Sequence, residues 1–273
     1  MKTLNFIKMH GLGNDFIIID KRKINININK KIIRKISNRK TGIGCDQVII
    51  INKSLRKKSA ARIKIFNSNG SEAESCGNGI RCVSKLLFKN KKRNKIILDS
   101  IVGELKAILN KNKSISVNMG IIKENWKNIP MSKKINNRNI PINIKNFSKG
   151  FAVNIGNPHI VFFGKEINNL DISVIGPKIE NHNLFPNKIN VEFVEIVNRK
   201  KIKMRVWERA VGETLACGSG ACAAVYAGLK KEMIGKKCEV ILKKGSLFID
   251  ITKNNEIIMT GPAEISYHGK IIL

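Results

Sequence analysis

The sequence predicts an α+β protein, rich in strands and made of two related halves, and three observations carry that prediction. First, Glu72-x-x-x-Cys76-Gly77-x-Gly79 recurs as Glu213-x-x-x-Cys217-Gly218-x-Gly220, 141 positions further on. Second, short β-branched runs dominate the chain. Third, helix-like patterns are few, and two of them directly follow the cysteine motifs, so strands and helices do not alternate as in a βαβ protein.

The repeat extends well beyond the motif. Phe66-Asn67 aligns with Trp207-Glu208, Gly103-x-Leu105 with Gly245-x-Leu247, Gly120 with Gly261 and Gly13-Asn14 with Gly156-Asn157, all at offsets of 141 to 143. With 273 residues and 42% hydrophobic content the chain can bury two ordinary cores. The first half is expected over 1–118 plus 262–273 and carries Cys76; the second covers 119–261 and carries Cys217.

In order along the chain, strands are predicted over 16–19, 47–51, 63–66, 160–163 and 191–197, each rich in Ile, Val or Phe. Helices are predicted over 32–38, from 79 to about 89, over 171–181 and from 220 to about 233. Segment 123–148 holds Pro130, Pro141 and many Asn and Lys, reads as irregular, and is expected to span the domain connection, with edge strands near 140–144.

Composition removes several function classes. No apolar run approaches the roughly 18 residues of a membrane span, and residues 1–8 lack a signal-peptide core, so a cytoplasmic protein without membrane contact is expected. Thiols stay reduced there, and the six cysteines read as thiols, not as three disulfides. The 51 basic and 20 acidic residues give +31, but the basic residues are scattered and have no aromatic interleaving. Compositional drift toward Lys, Asn and Ile explains this better than a nucleic-acid-binding protein, whose footprint is clustered.

A cysteine just before a glycine pair and a helix sits where unpaired backbone N–H groups and the helix dipole stabilise anions. The thiol's pKa can fall there, and the neighbouring N–H groups can hold a carboxylate. Two such thiols on opposite faces of one substrate suit inversion of a stereocentre, in which a thiolate removes the α-proton and a thiol returns one. A zinc site fits poorly, because Cys76 to Cys82 and Cys217 to Cys222 lack the Cys-x-x-Cys spacing. Cys82, Cys222, Cys45 and Cys238 read as packing residues. Gly11-Leu12-Gly13 is no dinucleotide loop, since Phe16 stands where a third glycine belongs.

Lys8-Met9-His10-Gly11-Leu12-Gly13-Asn14-Asp15-Phe16, Gly42-Ile43-Gly44-Cys45-Asp46-Gln47, both cysteine motifs, Gly156-Asn157-Pro158-His159, Asn190-Val191-Glu192-Phe193 and Gly261-Pro262-Ala263 stand together in this order. In these the chain closely resembles the diaminopimelate epimerases of lysine and cell-wall biosynthesis, over almost its whole length. The resemblance implies two pseudo-symmetric domains, each a β-barrel-like sheet around a central helix, that close on substrate. It implies epimerisation of LL-diaminopimelate to the meso form without a cofactor, metal or pyridoxal phosphate. It makes Cys76 and Cys217 the acid/base pair, with His159 and Glu208 tuning the thiols or placing the reacting ammonium.

By the same resemblance, Gly77, Asn78, Gly218 and Ser219 bind the carboxylate at the reacting centre. Asn14, Gln47, Asn67, Asn157, Asn190, Glu208 and Arg209 complete the substrate pocket, with Arg209 suited to the distal carboxylate. His10 reads as structural. A homodimer with Tyr267 near the contact is also implied. The departures are Ser68-Asn69-Gly70, where an aspartate commonly precedes the glycine, and Ala210-Val211 in place of Gly-Ala. Proline or hydroxyproline racemases share the two-thiol logic without the need for Arg209 and the amides, and phenazine-pathway isomerases share the fold without the cysteine pair.

Overall fold

The structure is a computed structural model describing residues 3–74, 76–88 and 93–272. Met1, Lys2, Ser75 of the first cysteine motif, the expected helix end at Lys89, the Lys91-Lys92 pair and Leu273 lie outside the described residues. The chain divides into two compact units, Met1–Val117 with Gly261–Leu273, and Asn118–Thr260.

In chain order the elements begin with β1 (Thr3–Gly11), β2 (Asn14–Asp20), α1 (Lys30–Ser37), β3 (Gln47–Asn52), β4 (Ala61–Asn67), β5 (Glu72–Ala73), α2 (Gly77–Phe88), β6 (Lys95–Ser100), β7 (Gly103–Leu109) and β8 (Ile115–Ile121). They continue with β9 (Phe151–Asn154), β10 (Pro158–Phe163), α3 (Ile172–Glu180), β11 (Asn190–Asn198), β12 (Lys201–Glu208) and β13 (Gly212–Thr214). The last are α4 (Gly218–Lys230), β14 (Lys237–Leu242), β15 (Gly245–Ile251), β16 (Glu256–Gly261) and β17 (Glu264–Ile272).

The internal repeat reappears as identical strand pairing. In the first unit β1/β2 are antiparallel, β2/β3 parallel, β3/β4 antiparallel, β4/β6 parallel, and β6/β7 and β7/β8 antiparallel. The second unit follows the same series through β9/β10, β10/β11, β11/β12, β12/β14, β14/β15 and β15/β16. The first unit also gains an extra strand, β17, antiparallel to β1.

In each unit the helix after the cysteine motif is the central one. α4 packs against β9, β10, β11, β12, β14 and β15, and α2 against β1, β2 and β7, as in an α+β fold with each sheet curled around a helix. The sequence of α4 explains its place. Ala221, Cys222, Ala223, Ala224, Val225 and Ala227 are fully buried on every side, which suits a helix enclosed by a sheet.

Strands β2, β3, β10 and β11 are largely apolar because both of their faces are covered. Ile17 and Ile19 of β2 join Ile33 and Ile36 of α1 in one core cluster. Phe16 and Ile49 lie instead against Gly79 of α2. In the second unit Ile160, Phe162, Val191 and Phe193 cluster with Ile172 and Ile179 of α3, while Phe163 approaches Gly228 of α4. Strand alternation therefore turns His159, Asn190 and Glu192 toward the α4 side.

Three sequence expectations need correction. Segment 123–148 does not connect domains; it belongs wholly to the second unit, where Ile129, Met131 and Ile140 enter the core. Around 140–144 there is one isolated bridge, Ile140 to Gly150, and no edge strand among the described residues. Short apolar residues separated by polar ones fill a core without a regular period, which a periodicity reading misses. The first helix also starts earlier than the pattern indicates, because Asn29 Oδ1 caps Ile32 N at 3.0 Å.

The Ala210 departure has a visible consequence. Ala210 sits at φ 62°, the left-handed region that favours glycine, and is held there by its N–H to Glu180 Oε1 at 2.9 Å. Ala210→Gly is expected to stabilise the second unit by about 0.5–1 kcal/mol, read as a higher denaturant midpoint.

Candidate active site

In the first unit, Cys76 directly precedes α2, and its carbonyl accepts the first helical bond from Ile80 N at 2.9 Å. The half-buried Cys76 Sγ donates to Asn14 Oδ1 at 3.7 Å, and Asn78 Nδ2 donates to the same oxygen at 3.2 Å. Asn14 is oriented from behind by Nδ2 to Asp46 Oδ2 at 2.9 Å. Asp46 and Asp15 share Arg39 at 2.7 Å each, and Lys8 reaches Asp15 at 2.6 Å.

This charged network was not legible as a site feature, although most of its members stand inside the quoted motifs. Arg39 and Lys8 outweigh the penalty of burial and hold the Asp15 carboxyl at about 2, below its ordinary 3.8. A carboxyl depressed by folding contributes stability above about pH 4, and that contribution disappears as pH falls toward about 2. Asp15→Asn is expected to remove roughly 2 kcal/mol at neutral pH and to flatten the acid side of a stability titration, measured by urea unfolding.

Gln47 and Asn67 are register partners on β3 and β4, joined by Nε2 to Oδ1 at 3.0 Å. Asn67 Nδ2 also donates to Ser71 Oγ at 3.0 Å. Gly77 and Asn78 are placed in the first turn of α2. His10 faces Glu264 of β17 at 3.7 Å. Tyr267, on the same strand, is 46% exposed and packs edge-on against Phe6, away from these groups.

In the second unit, Cys217 is the N-cap of α4 and its Sγ accepts from Gly220 N at 3.4 Å. Ser219 Oγ lies 3.5 Å from the same sulfur. Burial, then the carboxyls of Glu208 and Glu192, push the Cys217 thiol well above its ordinary range, so it rests protonated despite the helix end. Burial also raises the Glu208 carboxyl, against hydrogen bonds from Thr214, whose Oγ1 is 2.5 Å away, and from Cys217.

His159 is fully buried, with Nδ1 2.7 Å from Glu192 Oε1 and Nε2 2.9 Å from Asn157 Oδ1. Asn190 accepts from Arg209 N at 2.9 Å and donates to Pro158 O at 2.8 Å, which ties the β10 and β12 ends together. The Arg209 guanidinium rests on Asn187 O at 3.1 Å. Sequence reasoning missed Glu192 as a site residue; it has no exposure, and burial pushes its carboxyl upward. The available signal was an acidic residue inside an otherwise apolar strand, two positions after Asn190.

Three further cysteines behave as core. Burial lifts the Cys82 thiol to about 12 and those of Cys45 and Cys238 to about 11. Buried Arg81 of α2 has another role, donating from Nε to Pro262 O at 3.1 Å while Lys85 Nζ donates to Ala263 O at 2.5 Å, so α2 holds the chain entering β17.

Comparison with known proteins is consistent along the chain. The diaminopimelate epimerase family model matches residues 6–123 and 151–266. A diaminopimelate epimerase of Pelagibacter ubique is 45% identical over 260 residues, covering 93% of this chain and 94% of the relative. One from Carboxydothermus hydrogenoformans is 40% identical over 278 residues, covering 99% and 100%.

Among solved structures, a Bacillus anthracis phenazine biosynthesis protein of the PhzF family superposes with TM-score 0.73 at 14% identity, covering 100% of both chains. A hydroxyproline epimerase from Agrobacterium vitis gives 0.69 at 11% identity, covering 98% of this chain and 92% of that one. At those identities the superpositions speak for the fold. With whole-length sequence matches and a cysteine at the head of each central helix, this chain belongs to the diaminopimelate epimerase family.

Proposed function

We propose that the protein epimerises LL-diaminopimelate to meso-diaminopimelate with Cys76 and Cys217 as its two acid/base groups, one acting on each face of the α-carbon. The observation that carries this reading is the seat of Cys217, a buried thiol at the head of a helix whose N–H groups suit an anion, made harder to ionise by burial and by the Glu208 and Glu192 carboxyls. Cys217 is the acid in one direction. Cys76, only half-buried, is the base. In the reverse direction the roles exchange.

The α-carbanion is met by the N–H groups of Gly77-Asn78 and Gly218-Ser219 on its carboxylate, which spread charge as it develops. Asn14, Gln47, Asn67, Asn157, Asn190, Glu208 and Arg209 select the distal amino acid group; Glu208 acts on Cys217 directly, and His159 acts through Glu208. This chemistry draws on no pyridoxal phosphate or metal. Reaction in deuterated water tests it: LL-diaminopimelate should gain deuterium at the inverted centre, and purified protein that neither inverts nor exchanges that centre refutes the reading.

The same reading includes a homodimer, supported by Tyr267, an exposed aromatic on β17, a strand whose residues are mostly exposed. Sedimentation at micromolar concentration tests it, with a monomer counting against. A cytoplasmic setting fits thiols that must stay reduced to work.

A further inference from the structure

Glu192 is a carboxyl without any solvent exposure, opposed among the described residues by His159 and packed beneath the head of α4. A Cβ built on Gly220 would lie 2.6 Å from Glu192 Oε1, so a glycine at that position is what leaves room for the carboxyl. Its Oε2 has no hydrogen-bond partner among the described residues. A carboxylate left half-satisfied in such a place is strongly disfavoured, whereas a protonated carboxyl is not.

Nε2 of His159 meets Asn157 through its carbonyl oxygen, and an oxygen there requires a proton on Nε2. The Glu192–His159 pair therefore holds two protons and stays neutral overall, either as acid and imidazole or as an ion pair. In both forms Asn157 Oδ1 is engaged and its NH2 is turned away from His159.

We propose that Glu192 is a positioning residue, which keeps Nε2 of His159 protonated and thereby presents the Asn157 amide to substrate by its NH2 face, as a donor for a substrate carboxylate. This rests on the proposed epimerase reading for the identity of that substrate. If the pair gives up one proton, Nε2 becomes an acceptor, the Asn157 amide must turn, and its oxygen faces the carboxylate. Substrate binding weakens, while the chemistry at the thiols is touched only through charge. The titratable groups facing the pair are Glu208 of β12 and Cys217 before α4.

Glu192→Gln separates this role from simple packing, because a glutamine NH2 can donate to Nδ1 and mimic the protonated acid without titrating. In the unaltered protein KM for diaminopimelate should rise about tenfold for each pH unit above the pair's deprotonation, measured to about pH 9.5. In Glu192→Gln that alkaline rise should disappear, and in Glu192→Asp it should return. Superimposable KM profiles for Glu192→Gln and the unaltered protein overturn the proposal.

A second readout needs no turnover. In 15N-histidine NMR at neutral pH, the resonance lost in His159→Asn should report a protonated Nε2; a bare Nε2 also overturns the proposal. If the unaltered protein fails to epimerise diaminopimelate, the epimerase reading falls, while the NMR result still decides the protonation argument.

Discussion

Cys217→Ser and Cys76→Ser are each expected to lower the epimerisation rate by at least about a thousandfold, near the upper range for loss of a general acid or base. A serine hydroxyl keeps the size and the cap: with Cys217→Ser the new hydroxyl would still accept from Gly220 N–H, so α4 should remain capped. What disappears is the thiol, far more acidic than a hydroxyl and therefore able to pass a proton in both directions. The two variants should fail in different ways. With Cys217→Ser the base at Cys76 survives, so α-proton exchange of one stereoisomer with solvent should outlast inversion. With Cys76→Ser the complementary isomer should show the residual exchange. The measurement is deuterium incorporation beside optical inversion, for both isomers. Full inversion by either variant would sink the two-base scheme.

Gly220→Ala is expected to destabilise the second unit by about 2–3 kcal/mol, the upper part of the range of about 1–3 kcal/mol for forcing extra carbon into a packed core. The new Cβ would lie 2.6 Å from Glu192 Oε1, and that carboxyl is held by His159 at 2.7 Å. It cannot retreat without breaking the pair. Gly79→Ala in the first unit is the internal control. There the clash, also 2.6 Å, is with Ile49 Cδ1, the far end of a flexible side chain that can rotate aside. Urea unfolding of both variants should give the larger loss for Gly220→Ala, and equal losses would show that the Glu192 seat is not rigid.

Much of this was legible because duplication writes itself twice. The cysteine motifs, the apolar runs at 16–19 and 160–163 and the helices that follow each Cys-Gly-x-Gly could be checked against one another, and the structure repeats even the order of parallel and antiparallel pairs. Less legible were interactions that depend on which strand lies beside which. Glu192 meets His159 only because β10 and β11 run parallel in a particular register, Val161 opposite Glu192. Asp15, Asp46, Lys8 and Arg39 read as ordinary charges until β1, β2 and the loop before β3 converge. Segment 123–148 defeats a periodicity reading for the opposite reason: its Ile and Met residues are buried singly, with no period to reveal them.

The late strand β17 has a consequence for synthesis. The second unit is contiguous, Asn118–Thr260, and can fold as soon as its residues have emerged. The first unit cannot. Its strand β1 waits for β17, and the Arg81 Nε and Lys85 Nζ donors of α2 wait for the carbonyls of Pro262 and Ala263. During translation the N-terminal polypeptide therefore spends the whole time of making the second unit with one β-strand edge open and its central helix not yet latched, the interval in which a chaperone has most to protect.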